Sequence, residues 1–305
     1  MKRVLLTGAD GFTGHYLAQE LAAAGHEVHG ISRTPPQSLA GQGKVAHWHK
    51  ADLAHPATLQ AALEAARPHW VVHLAAVSFV AHGNVDDIYQ ANLLGTRNLL
   101  EALAATAARS APLQAVLLAS SANVYGNAGG GRLDESTPFA PANDYAVSKV
   151  AAEFVARLYA ERLPLIITRP FNYTGVGQSL NFLLPKMVDH VRRRAPQIEL
   201  GNLEVARDFL DVRTVAAYYL RLLQAPQALG GVFNICSGQA HSLRGVMDAL
   251  LELAHHQMEL QVNPAFVRAN EVRTLCGDAS RLHATVGAIQ GPSLRDTLAW
   301  MLQAS

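Results

Sequence analysis

Tyr145 and Lys149 stand four residues apart in the segment Asp144-Tyr145-Ala146-Val147-Ser148-Lys149. On a helix that spacing places both side chains on one face. A cation beside a phenol favours the phenolate and lowers the proton affinity of the hydroxyl. The expectation is a positioned proton donor or acceptor whose affinity Lys149 sets. Upstream, the β-rich run Gln114–Ala119 ends in Ser120-Ser121-Ala122-Asn123-Val124-Tyr125-Gly126. A Ser121 hydroxyl at the carboxyl end of a strand reaches the same crevice and hydrogen-bonds a substrate carbonyl or alcohol. A Tyr-x-x-x-Lys pair alone is common on surface helices, so the weight rests on its company.

That company is a glycine turn. Thr7-Gly8-Ala9-Asp10-Gly11-Phe12-Thr13-Gly14 follows the first apolar run and opens a helical pattern. Gly8 permits a tight turn, Gly11 lets the backbone approach a pyrophosphate, and Gly14 lets helix pack closely on strand. The helix N-terminus then offers free N–H groups to the anion. This predicts a nicotinamide dinucleotide site. The second run, Val28-His29-Gly30-Ile31-Ser32-Arg33, ends in a guanidinium where NAD sites usually carry a carboxylate for the ribose. Arg33 suits a 2′-phosphate, so NADP(H) is expected, with NAD(H) use left open.

The elements that must position these groups alternate. Strands are predicted at Arg3–Thr7, Glu27–Ser32, Lys44–His49, His69–Leu74, Gln114–Ala119 and Leu165–Arg169. Between them lie helical segments Thr13–Ala24, Pro56–Ala66, Asp86–Ala108 and Tyr145–Arg162. Near-continuous apolar strands separated by helices require a parallel sheet covered on both faces. The predicted class is α/β, with a doubly wound dinucleotide-binding unit over residues 1–170. A smaller, mainly helical substrate lobe follows over 171–305, with helices at Leu183–Arg194, Val212–Gln224 and Ser242–His255 and brief strands at Gln197–Leu200 and Gly231–Ile235. The two are expected to interleave.

Composition excludes other classes. The chain has 305 residues, half of them hydrophobic, so disorder is ruled out. Lys+Arg 25 against Asp+Glu 24 leaves +1, too small a field to recruit nucleic acid or an anionic membrane. No apolar stretch is long enough for a membrane span, no leader pattern opens the chain, and a cytoplasmic enzyme is expected. Cys236 and Cys276 lack metal or disulfide spacing. His47 and His49 alternate on a strand and His255 and His256 are adjacent, without a carboxylate or Cys at metal spacing, so no metal is expected. Arg192-Arg193-Arg194 suits the dipole at a helix end.

With these motifs in order, the chain resembles the extended short-chain dehydrogenase/reductase family over nearly its whole length. TGADGFTG, Asp52-Leu53, Leu74-Ala75-Ala76, Asn92-Leu93-Leu94-Gly95-Thr96, SSANVYG, YAVSK and Arg169-Pro170-Phe171-Asn172 carry the resemblance. It implies a Rossmann-type sheet. It also places Asp10, Phe12, Thr13, Arg33 and the three glycines on the cofactor, with Asp52 and Leu53 at the adenine. Leu74, Ala75 and Ala76 would line pyrophosphate and ribose, Lys149 would also bind the ribose hydroxyls, and Tyr145 and Arg169 would join the cofactor set. Asn92, grouped with them, would support the active-site helix from beneath. Helices Asp86–Ala108 and Tyr145–Arg162 would pair two copies as a homodimer.

The same resemblance implies a nucleotide-sugar substrate, a GDP-sugar above others, held by Ser78, Ser121, Asn172, Lys186, Arg207 and Arg268. Where the family has Pro after the second Arg, this chain has Ala269. Sugar dehydratases of the family carry Thr-Asp-Glu or Thr-Ser-Glu where this chain has Ser121, Ala122 and Asn123. An amide cannot take the C5 proton, so dehydration is disfavoured. Reduction of a 4-keto sugar leads, 4-epimerisation with a retained NAD is the alternative, and a non-catalytic NADP sensor is third. A sensor has no need of Ser121, Tyr145 and Lys149 together.

Overall fold

The computed structural model describes residues 1–35, 44–78, 84–107, 113–127, 131–267 and 272–304. The first half runs β1 (Arg3–Thr7), α1 (Phe12–Ala23), β2 (Glu27–Ser32), β3 (His47–Lys50), α2 (Pro56–Ala66) and β4 (Trp70–His73). It continues through α3 (Val85–Tyr89), a π-helical turn (Gln90–Leu94), α4 (Gly95–Ala107), β5 (Ala115–Ala119), α5 (Asp144–Arg157) and β6 (Leu165–Pro170). Strand β3 starts three residues later than the apolar run suggests. The helix expected over Asp86–Ala108 is instead three pieces, because the π-turn inserts a wide step that carries Asn92 into the interior. The helix expected to reach Arg162 ends at Arg157, and turns complete the span.

The chain continues with β7 (Asn172–Thr174), α6 (Leu183–Arg192), β8 (Gln197–Leu200), β9 (Ala206–Asp211), α7 (Val212–Gln224) and β10 (Val232–Ile235). Last come β11 (Ala240–Ser242), α8 (Leu243–Leu253), β12 (Glu259–Val262), β13 (Thr274–Leu275), α9 (Ser280–Val286) and α10 (Leu294–Gln303).

Seven strands form one sheet in the order β3-β2-β1-β4-β5-β6-β10, and every pairing is parallel. The order reverses between β1 and β4, which opens a crevice at their carboxyl ends where such sheets take ligands. Side chains alternate to opposite faces. Val4 and Leu6 pack with Leu17 and Leu21 of α1 and Val215 and Tyr219 of α7. Leu5 packs on the other face with Leu59 and Leu63 of α2, Leu99 and Leu103 of α4 and Ala156 of α5. Burial on both faces explains why these strands are apolar throughout. The seventh strand and α7 come from beyond residue 170 and complete this layer.

Over the strand ends sits a second core of α6, α8 and α10, in which Met187, Val188, Val246, Met247, Leu250 and Leu298 are buried. Short strands thread it: β9 pairs with β7, β11 and β13, and β8 with β12. No helix among the described residues is long and apolar enough to cross a membrane.

Candidate active site

A cleft of about 1810 Å³ runs between the sheet's carboxyl edge and the second core. At its floor the chain turns from β1 into α1. Gly8 has φ +68, a left-handed conformation that favours glycine. A Cβ on Gly14 would fall 2.0 Å from Gly8 O and 2.7 Å from the Ala9 Cα, so only glycine lets α1 lie against the turn. Gly11 caps α1 without a side-chain hydrogen bond, and no acidic residue occupies the first turn. The helix therefore presents backbone N–H groups to the cleft with no side chain competing, and this cradle fits a pyrophosphate. Phe12 stacks on Tyr173, ring centroids 6.2 Å apart, and the Thr13 hydroxyl lies 2.8 Å from the Tyr173 hydroxyl.

Arg33 is exposed at the far end of this wall. Beside it Ser32 Oγ donates to Asp10 Oδ2 at 2.8 Å. A carboxylate thus does reach the end of β2, delivered by the glycine turn instead of the strand, and the strand's own sequence could not show it. Asp52 lines the cleft while accepting the Ala54 N–H at 2.9 Å, and Leu53, Leu74, Ala75, Ala76 and Ser78 continue the wall.

Ser121, Tyr145 and Lys149 converge at the middle of the cleft, all at least nine-tenths buried. Asn143 caps α5 by accepting the Ala146 N–H at 2.9 Å, which fixes where Tyr145 enters. Ser121 Oγ accepts both the backbone N–H and the side-chain amide of Asn123, each at 3.2 Å. With its acceptor side so occupied, its own proton is directed at the Tyr145 hydroxyl. Lys149 Nζ donates to Ala119 O at 2.9 Å and lies 6.0 Å from the centre of the Tyr145 ring.

The expected depression of the Tyr145 pKa is not found in the free protein. Burial pushes it up to about 12, only partly countered by the Ser121 hydrogen bond. Burial also brings Lys149 down to about 8, against the attraction of Glu153. The reason is that Nζ is turned to a carbonyl while the phenol is buried in the cleft wall. Tyr145 is thus held as a neutral phenol, and Lys149 keeps most of its charge at neutral pH.

Two residues expected at the cofactor lie behind the wall. Arg169 is buried and spent: Nε and Nη2 grip the Glu153 carboxylate at 2.9 and 2.7 Å, and Nη1 donates to the Tyr125 hydroxyl and Glu135 O. Glu153 also accepts from Ser120 Oγ at 2.6 Å, so the pair braces the segment carrying Ser121. Asn92 holds the Val77 backbone at both N–H and C=O and donates to Ser148 Oγ, which in turn donates to Tyr145 O. It supports α5 from beneath and does not line the cleft. Arg268 lies outside the described residues. Sequence reasoning missed His73, buried between Thr7 Oγ1 (2.7 Å) and Thr96 Oγ1 (2.9 Å). Thr96 gives its proton to Asn92 O, so His73 Nε2–H donates to Thr96 and Nδ1 accepts from Thr7. Burial drives the His73 pKa down to about 3.

Across the cleft stand Asn172, whose amide donates to Asp208 O, Lys186, whose Nζ donates to Glu199 O and lies over the Phe266 ring, and Arg207. Among the described residues the carboxylates lining the cleft are Asp10, Asp52, Asp87 and Glu199; none belongs to the Ser121–Asn123 segment.

A parallel sheet with a phosphate cradle at its switch point and a Ser–Tyr–Lys set at its strand ends defines a dinucleotide-dependent oxidoreductase. Residues 4–236 match the NAD dependent epimerase/dehydratase family, and the chain belongs to it. It is an NAD(P)-dependent enzyme of the extended short-chain dehydrogenase/reductase type. A GDP-6-deoxy-D-mannose reductase from Pseudomonas aeruginosa is 36% identical over 94% of this chain and 91% of its own length. A GDP-6-deoxy-D-talose 4-dehydrogenase from Aggregatibacter actinomycetemcomitans is 33% identical over 93% and 91%. The solved structure of RMD from Pseudomonas aeruginosa complexed with NADPH superimposes with a TM-score of 0.85 at 32% identity, covering 99% of this chain and 98% of that one.

Proposed function

We propose that this chain is an NADPH-dependent reductase of the C4 ketone in a nucleotide-activated 4-keto-6-deoxy sugar. Its substrate in this reading is GDP-4-keto-6-deoxy-mannose and its product a GDP-6-deoxyhexose such as GDP-rhamnose. The observation that carries the reading is the Ser121–Tyr145–Lys149 set in which Ala122 and Asn123, neither of them a carboxylate, follow Ser121. The two curated relatives above are both named for GDP-6-deoxy sugars.

The nicotinamide supplies hydride to the sugar carbonyl carbon when bound. Tyr145, buried and neutral, donates the proton to the carbonyl oxygen. Ser121, its acceptor side taken by Asn123, donates a hydrogen bond to the same oxygen as charge develops there. Lys149 attracts the phenolate that remains. Guanidinium and ammonium groups of Arg207 and Lys186 suit the diphosphate. Arg33 meets the 2′-phosphate of NADPH, and Asp10 beside it leaves room for NAD(H) as second cofactor.

The test supplies GDP-4-keto-6-deoxy-mannose and NADPH and follows nicotinamide absorbance; oxidation with formation of a GDP-6-deoxyhexose is expected. GDP-mannose alone should give nothing, and a 4-keto product from it would make the chain a dehydratase. An ultraviolet spectrum showing NAD retained through purification would favour the 4-epimerase. The talose relative favours a second product, the C4 epimer, and proton couplings of the isolated sugar decide between them. We also infer a homodimer through α4 and α5, where Val147, Phe154 and Leu158 expose one apolar stripe. Light scattering should give twice the chain mass.

A further inference from the structure

Strands β2 and β3 form the edge of the large sheet that lies farthest from β10. Glu27 and His29 are two residues apart on β2 and so share a face. The parallel register sets His29 opposite His47 and Ile31 opposite His49, which brings both β3 imidazoles to the same face. The Glu27 carboxylate oxygen lies 3.0 Å from His29 Nε2 and 3.1 Å from His47 Nε2, and the three donor atoms all fall within 4.8 Å of one another. Four ligands at tetrahedral distance from zinc stand roughly 3.3 Å apart. The side chains therefore converge at coordination spacing. They line a shallow groove with the last turn of α2.

The surroundings fit as well. His29 is buried, and its Nδ1 lies 3.0 Å from His49 Nε2, with the two rings stacked. A metal-bound imidazole needs its other ring N–H held by an acceptor, which fixes tautomer and orientation. His49 occupies that position. Arg3 and Arg67 also line the groove, and the Arg3 guanidinium is turned onto the carbonyls of Ala66 and Arg67 at the end of α2. Two imidazoles with one carboxylate select zinc-like transition ions over calcium or magnesium.

We propose that Glu27, His29 and His47 form a binding site for a divalent transition-metal ion, zinc foremost, with His49 orienting His29 and water completing the shell. Such an ion ties the edge strand β3 to β2. It touches none of the cleft residues. The site escapes a linear reading because Glu27 and His29 alone are too few ligands, and only the β2–β3 register adds His47.

The test uses the full chain without a polyhistidine tag, stripped with a chelator and dialysed. Zn²⁺ titrated by calorimetry should bind with one equivalent per chain, and Co²⁺ should give the strong visible bands of a four-coordinate site. His47→Gln, a change at a half-exposed position that circular dichroism should show folded, is expected to remove both signals and leave ketone-reducing activity unchanged. His49→Gln should weaken binding by about ten- to a hundredfold. His55→Gln, an exposed imidazole elsewhere, should change nothing. Absence of saturable binding overturns the proposal, as does an isotherm in His47→Gln equal to that of the unaltered chain. Loss of the equivalent in His55→Gln instead would overturn it too.

Discussion

On one side of the cleft the surface is made by backbone: Gly8, Gly11 and Gly14 fold so tightly that no Cβ fits at Gly14, and helix N–H groups face outward. On the other it is made by long side chains, Lys186 from α6 and Arg207 from β9, near Phe266 from the segment after β12. The first surface is rigid because a fold-defining crossover builds it, and it suits a cofactor shared across many reactions. The second depends on how separately folded segments meet, and under the proposed function it is where one substrate would be told from another. Between them, Tyr145 belongs to neither wall. It stands on α5, capped by Asn143 and braced through Ser148 and Asn92.

Removing the group between the walls should have the largest effect. Tyr145→Phe is expected to keep the fold and NADPH binding and lose about 10²–10⁴-fold in turnover, the usual worth of a positioned acid. Single-turnover oxidation of NADPH by the keto sugar measures it. A rate within about threefold of the unaltered chain would take Tyr145 out of the proton transfer.

The rigidity of the cofactor wall is tested by Gly14→Ala. The added methyl meets Gly8 O and the Ala9 Cα, both backbone, so α1 must shift. Overpacking of this kind costs about 1–3 kcal/mol, and NADPH affinity should fall with it while a nucleotide diphosphate held by the opposite wall binds as before. Equal losses for both ligands would mean that the walls move together.

The cofactor wall was also the part legible in sequence. Strands β1 and β2 and helix α2 occupy the predicted residues because apolar runs there are bounded by Gly, Pro or a change of period. TGADGFTG and YAVSK declare themselves locally, since each function needs residues at fixed short spacing. What stayed hidden depends on contacts between distant positions. His73 reads as the end of an apolar strand, and its partners Thr7 and Thr96 are 66 and 23 residues away. Arg169 reads as a site residue in the sequence, but the Glu153 carboxylate claims it. In ARDFLDV, Arg207 lines the cleft, but Asp208 is committed to Ser237 and Gly238. Residue type alone does not separate these two fates.

The buried network beneath the wall carries a pH signature. His73 is neutral in the folded chain, with a pKa down at about 3, and an unfolded histidine takes a proton near neutrality. Its contribution to stability is complete above the unfolded value and is lost progressively as pH falls from about 6.5 toward 3. By pH 5 the loss is about 2 kcal/mol. Urea midpoints at pH 7 and pH 5 should therefore diverge more in the unaltered chain than in His73→Asn. Burial also lowers His26, His29, His49 and His69, but these cancel between the two proteins. Identical pH sensitivity in both would place the acid-labile group elsewhere.

The smallest expected effect lies at the exposed end of the cofactor wall, where side chains take over from backbone. Arg33 stands there with the Asp10–Ser32 pair beside it. A guanidinium favours a 2′-phosphate through parallel charged hydrogen bonds, and the carboxylate opposes it. The proposed preference for NADPH would thus be a balance between two neighbours, and a modest one is expected. Arg33→Ala should raise the KM for NADPH about three- to tenfold, as expected for one solvent-exposed charged contact, and leave that for NADH nearly unchanged. Asp10→Asn should move the balance the other way, lowering the KM for NADPH, because the amide lacks the repelling charge and still accepts from Ser32. Steady-state kinetics with each cofactor at saturating keto sugar measures both. If Arg33→Ala raised the two KM values equally, the guanidinium would be holding something common to both cofactors. The distinction between NADP and NAD would then have to come from another part of the cleft.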